Sequence, residues 1–172
     1  MIRHFKTAFL IFVLQLVGGP IWIGLADAAE LMSTHTDWKA YRHGSDDQRM
    51  CFAVSEPTEA SPQKARKESP HVYVTAWPKA GIKAEISVLV GVALKKGAQI
   101  EVDVDGTRFD LFPDGDRAYV SDANDELKLL DVMRRGRSMT ITATSAEGQQ
   151  TSDTYSLLGL TAAIQSMSSG CT

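Results

Sequence analysis

IEVDVDGTRFDLFPDGDRAYV, running from Ile100 to Val120, decides how this chain is built. Ile100, Val102 and Val104 point one way while Glu101 and Asp103 point the other, the period of two that marks a half-buried strand. Asp105-Gly106 follows at once, and an Asp-Gly pair between two such runs predicts a tight hairpin, because a type I′ turn needs positive φ at both central positions. Phe109, Leu111 and Phe112 carry the second strand, Asp114-Gly115 turns again, and Ala118, Tyr119 and Val120 form a third. The chain is folding back on itself in antiparallel steps.

The same grammar extends in both directions. Upstream, Ala84 to Val90 alternates Ile86, Val88 and Val90 with Glu85, Ser87 and Leu89. His71 to Trp77 sets Val72, Val74 and Ala76 against His71, Tyr73, Thr75 and Trp77, and Pro78 to Lys83 breaks the run. Arg49 to Ser55 reads as a strand carrying Cys51, Phe52 and Val54, and Thr34 to Arg42 as one preceding strand with Trp38 and Tyr41. Between them and His71, Glu56 to Pro70 holds three prolines and mixed charge, which predicts a long mobile loop with the basic run Lys64-Ala65-Arg66-Lys67 in solvent. Downstream the period lengthens: Leu127, Leu130 and Met133 recur at spacing three with Leu129 adjoining them, acidic residues crowd the start, Arg134 and Arg135 the end, and Gly136 stops the helix. Met139, Ile141 and Ala143 return to alternation, Glu147-Gly148 turns, and Thr151 to Leu158 comes back as the partner strand. Leu160, Ala163, Ile164 and Met167 then give a short amphipathic helix. Short strands, tight turns and two short helices predict a mostly antiparallel β-sandwich, immunoglobulin-like or jelly-roll-like.

The N-terminus sets the compartment. Arg3 and Lys6 precede an apolar run from Thr7 to Leu25, and Ala26-Asp27-Ala28 places small residues before a cut at Ala29. This is the layout of a secretory signal peptide over residues 1–28. A retained membrane anchor is the competing reading, but Gly18-Gly19-Pro20 interrupts the run and no charged stop-transfer flank follows. Cleavage leaves residues 29–172 as one domain without stable membrane insertion, in the periplasm or secreted. The net charge of −3 has no basic cluster behind it, which argues against a nucleic-acid partner. Cys51 and Cys171 are the only cysteines, and in an oxidising compartment they are expected to form one structural bridge.

Catalytic templates find little purchase. There is no G-x-S-x-G elbow, no Cys-x-x-Cys and no zinc spacing among His35, His43 and His71. Asp103-Val-Asp105-Gly106 opens like a calcium loop, but the position that should supply a bidentate Glu is Asp114, so an ordinary turn is the better account. Neither a metal nor a cofactor is expected. Trp38, Tyr73 and Trp77 are candidates for an aromatic binding patch, with core packing as the plainer alternative.

Asp37-Trp38 shortly before Cys51, Ala76-Trp77-Pro78-Lys79-Ala80-Gly81, Gly91-Val-Ala-Leu94, Val104-Asp105-Gly106, Met133-Arg134-Arg135-Gly136 and Tyr155 to Ala163, in that order, resemble the invasion-associated locus B family. The resemblance spans nearly all of the chain after the leader. It implies a secreted or periplasmic β-sandwich of Gram-negative bacteria with no established enzymatic activity, and founding members associated with host-cell entry. It also implies a second cysteine pair in many members, and here Phe112 and Asp116 stand at those positions, which marks a divergent member. No catalytic residue carries over. The expected function is binding to an unknown envelope or host protein, with strand addition at an open sheet edge as one mode. A rival reading is a periplasmic hydrolase or metal-binding protein assembled from His35, Asp37 and His71; a third is a structural envelope protein conferring stress tolerance.

Overall fold

A computed structural model of the chain describes residues 28–62 and 66–171. The predicted leader over residues 1–28 lies, but for residue 28, outside the described residues. The strands are β1 (Glu30–His35), β2 (Trp38–His43), β3 (Met50–Ser55), β4 (Glu59–Ser61), β5 (His71–Trp77), β6 (Ile82–Leu89), β7 (Ile100–Val104), β8 (Thr107–Asp114), β9 (Arg117–Tyr119), β10 (Ser138–Thr144) and β11 (Gln150–Ser156). Two helices complete the fold, α1 (Ala123–Arg135) and α2 (Leu160–Gly170). All strand pairs are antiparallel, in the order β1-β2-β3-β5-β6-β9-β8-β7-β10-β11-β4. The class is the expected one, mostly antiparallel β with two short helices.

Pairing runs through this order without a break because β8 serves two neighbours. Its first half, Thr107 to Leu111, pairs with β7, and its second, Phe112 to Asp114, pairs with β9. The opening hairpin behaves as read, with Asp105 and Gly106 both at positive φ (47° and 93°). The two ends of the order then meet. The Trp38 indole donates to the Ser156 carbonyl at 3.0 Å, and the Asp37 amide to the Leu158 carbonyl at 3.3 Å. Alternating residues from both halves fill one core: Val72 and Val74, Ile100 and Val102, Met139 and Ile141 are all sealed from solvent.

α2 closes the inner side of β1, β2 and β3 with the four residues its periodicity predicts: Leu160, Ala163, Ile164 and Met167. Its entry is tight. Gly159 sits at φ 97° with the His35 carbonyl so close that a Cβ would lie 1.9 Å from that oxygen, so only glycine fits. α1 is capped by Asp122, whose carboxylate accepts from the Asn124 and Asp125 amides.

Three local expectations change. Thr34 to Arg42 is not one strand but the β1–β2 hairpin, turned at Thr36 (φ 50°) and Asp37 without a glycine to announce it. Leu127, expected in the stripe, is 66% exposed, while α1 buries Leu129 with the expected Met133. Met133 faces the sheet as the spacing predicts and Leu130 packs at its margin; only Leu127 turns outward, because Leu129 and Met133 are the i, i+4 pair that faces the core. The segment from Glu56 to Pro70 is not simply a loop: it contributes β4 to the sheet beside β11.

Candidate functional site

The outward side of the sheet carries a row of aromatic rings interrupted at one position, Ser87. Period two places Tyr41 on β2, Phe52 on β3, Tyr73 on β5, Tyr119 on β9 and Phe112 on β8 on the same side. Strand order makes them neighbours. Tyr41 pairs with Phe52, Tyr73 with Ser87, Ser87 with Tyr119, and Tyr119 with Phe112; only the step from Phe52 to Tyr73 is diagonal. Ring centroids lie 5.2 Å apart for Tyr41–Phe52, 6.0 Å for Phe52–Tyr73 and 5.7 Å for Phe112–Tyr119, within the range of favourable aromatic contacts. His71 stacks on Tyr73 at 5.9 Å, and the Arg117 guanidinium sits over the Tyr73 ring at 5.5 Å.

Two depressions flank Phe52 and Tyr73. One, of about 510 Å³, lies between those rings, Tyr41 and the wall formed by Glu56, Pro57 and Thr58. The other, of about 240 Å³, is bordered by Phe52, Tyr73, Trp77, Tyr119, Glu85 and Arg117 over Thr75 and Ser87. Burial raises the Tyr73 phenol above its ordinary value, and the Arg117 charge pulls the other way.

The predicted site residues separate. Tyr73 and Trp77 do share the outer face, and Trp77 is 36% exposed. Trp38 does not join them: its ring is fully buried and its N–H is taken by Ser156. Phe112, where the resemblance places a cysteine, instead closes the aromatic row on Tyr119. Cys51 and Cys171 are bonded to each other, fixing the end of α2 to β3. The rival trio is not assembled. His35 Nε2 lies within hydrogen-bond reach of the Ser33 and Ser166 hydroxyls beside α2, His71 pairs with the Ser69 carbonyl and approaches Glu56, and the Asp37 backbone joins Leu158 and Ser55. Among the described residues no three His, Cys, Asp or Glu side chains come together as a metal site. The Asp103 and Asp105 carboxylates are engaged by their own turn and its neighbours: Asp103 accepts from the Gly106 amide, and Asp105 from the Arg137 and Ser138 amides.

Sequence reading missed one buried pair. Arg66, expected in solvent, has only 4% of its side chain exposed and forms a bidentate ion pair with Asp153, 1% exposed, at 2.5 and 2.9 Å. Its remaining N–H groups donate to the carbonyls of Pro62, Ser61 and Val90. Burial raises the Asp153 carboxyl, and the guanidinium opposes that rise. The pair straps the 56–70 segment to β11 and to the end of β6, and that strap supplies the wall of the larger depression.

A family model described as Invasion associated locus B (IalB) protein matches residues 38–168. Among solved structures, the crystal structure of invasion associated protein b from Bartonella henselae superposes with a TM-score of 0.56. It shares 14% sequence identity, and the alignment covers 81% of this chain and 97% of that one. That likeness is one of fold. No curated protein matches the chain.

Proposed function

The chain belongs to the invasion-associated locus B family, and from that premise we propose that it is an exported envelope protein that acts by binding, not by catalysis, through the aromatic face of its sheet. The observation that carries this reading is the row from Tyr41 to Phe112, an array of large rings left open on the outer face. Monomeric domains seldom expose contiguous apolar rings without use, and aromatic side chains dominate binding energy where they are found. A Cys51–Cys171 bridge suits the oxidising compartment that the leader addresses. The names of the family and of its Bartonella structural relative point to host-cell invasion, and for this chain we read that as contact with a host or envelope surface component.

Strand addition is the less favoured mode. At one end of the sheet β4 is three residues long and bounded by Pro57 and Pro62, which guard it. At the other end β1 is open along six residues, but it lacks the row of aromatic anchors that the outer face offers.

The test compares the mature protein with a Phe52→Ser/Tyr73→Ala variant for retention on host cells and on isolated envelope. Losing two adjacent anchors is expected to cost at least about 2 kcal/mol of binding. Equal retention of both proteins would sink the reading.

A further inference from the structure

The aromatic row has one gap, and the gap carries a charge. Ser87 stands between Tyr73 and Tyr119, paired with both, so these two rings are two strand spacings apart, roughly 9–10 Å. The small Ser87 side chain leaves the 240 Å³ depression, below the roughly 300–1,000 Å³ of pockets built for drug-sized ligands. It has the dimensions of a single-ring subsite. Arg117 borders it, stacked on Tyr73 and in no ion pair among the described residues.

Resting on the binding role proposed above, we infer that this slot takes one ring of a linear glycan whose sugars carry spaced carboxylates, with a carboxylate on Arg117. A sugar ring has an apolar C–H face and a polar edge. The C–H face is weakly positive and meets the negative face of an aromatic ring. The polar edge needs donors and acceptors, and Thr75, Ser87 and Glu85 supply them around the depression. Arg117 presents a planar fork of N–H groups whose match is a carboxylate held by two parallel bonds.

The remaining observations narrow the class. From Tyr41 to Phe112 the row crosses six strands, on the order of 24 Å, which suits a linear polymer and not a single small molecule. Tyr73 and Tyr119 recur at a pitch close to the length of two sugars in an extended chain. A densely charged polyanion is disfavoured, because Glu85 borders the slot beside Arg117, Glu56 stands with Lys39 along the adjoining groove and the whole chain carries a net charge of −3. Spaced carboxylates meet a lone guanidinium without crowding those acids.

Calorimetric titration of the mature, disulfide-bonded protein tests this with three probes. They are a β-linked hexasaccharide with glucuronate at every second sugar, its carboxyl-reduced counterpart, and an extended hexapeptide of alternating Glu and Tyr. The glucuronate oligosaccharide is expected to bind about tenfold or more tightly than the reduced one. Arg117→Gln is expected to erase that difference, so that the two sugars bind the variant equally. Phe112→Ser, at an exposed site, is expected to weaken both sugars, with near-ultraviolet circular dichroism confirming that each variant is folded. Equal binding of the two sugars, binding of the peptide in their place, or no binding of either sugar overturns the inference. If neither sugar binds but the Phe52→Ser/Tyr73→Ala variant still loses retention on cells, the glycan assignment falls alone and the binding role stands.

Discussion

Arg66 satisfies all of its N–H directions at once, two toward Asp153 and three toward backbone carbonyls, and this dictates how its loss will be felt. Removing the guanidinium leaves a buried carboxylate with no counter-charge and three carbonyls without donors. A broken buried pair costs about 3–5 kcal/mol, a large share of the roughly 5–15 kcal/mol that holds a domain folded. Arg66→Ala is therefore expected to lower the urea midpoint sharply. Asp153→Asn is expected to cost distinctly less, because the carbonyls of Ser61, Pro62 and Val90 keep the cation solvated. Equal destabilisation by the two would show that the carbonyl contacts contribute nothing. The sequence could not announce this pair. A cation flanked by Lys67 and prolines looks solvated, and its partner lies 87 residues further on, reached only when β4 docks beside β11.

At the level of elements, legibility follows whether the signal is local. Val102 and Met139 announce their inward faces by alternation, and α2 buries the four residues its period marks. Asp105-Gly106 names its own turn. The turn at Thr36-Asp37 lacks glycine and so reads as mid-strand, while in α1 the overlapping spacings of Leu127, Leu129 and Leu130 leave Leu127 indistinguishable from its buried neighbours. Period two put Tyr73 and Trp77 on one face, but the row as a whole needed the strand order, which no local pattern contains. What docks α1 is equally non-local. β9 pairs with β6 only from Ser87 to Leu89, so the Ile86 amide is left at an open edge, and the Glu126 carboxylate accepts it at 2.7 Å. Burial raises the Glu126 pKa, the Ile86 amide opposes it and Glu85 adds to it. A carboxyl with a raised folded pKa contributes stability that is fully present below its unfolded value, near 4.5, and that is lost as pH climbs through the folded value. Glu126→Gln keeps an acceptor for Ile86 but does not ionise. Its stability relative to the parent is expected to match at acid pH and to rise as pH approaches neutrality, as thermal unfolding across that interval will read. A relative stability that is flat or falls with pH would contradict the sign.

For the whole molecule, the bond from Cys51 to Cys171 couples the start of the chain's sheet to its end. It encloses 120 residues of separation, and the chain-entropy model assigns a loop of that length up to about 5 kcal/mol. The bond also acts in a particular place. α2 lies across β1, β2 and β3 with Leu160 and Met167 sealed in the core, and Cys171 follows directly after it. Without the bond, the helix is held by packing, by the contact of Ser166 with His35, by the Thr161 hydroxyl on the Arg134 carbonyl and by the Gly159 approach to His35. Its release would uncover the inner side of the strands whose outer side carries Tyr41 and Phe52. Stability and the proposed binding face are thus joined through β2 and β3, which present one face to α2 and carry Tyr41 and Phe52 on the other. Cys51→Ser/Cys171→Ser is expected to unfold at lower denaturant and to exchange the amides of α2 earlier than those of β7 and β10. Retained binding at low temperature would then separate the two roles, because Cys51 is buried on the inner side of β3 while Phe52 beside it belongs to the outer row. Intact-mass measurement of exported protein before and after alkylation checks the premise. If both thiols are freely alkylated without reduction, or if α2 exchanges no faster in the double variant, the bridge does not anchor the helix.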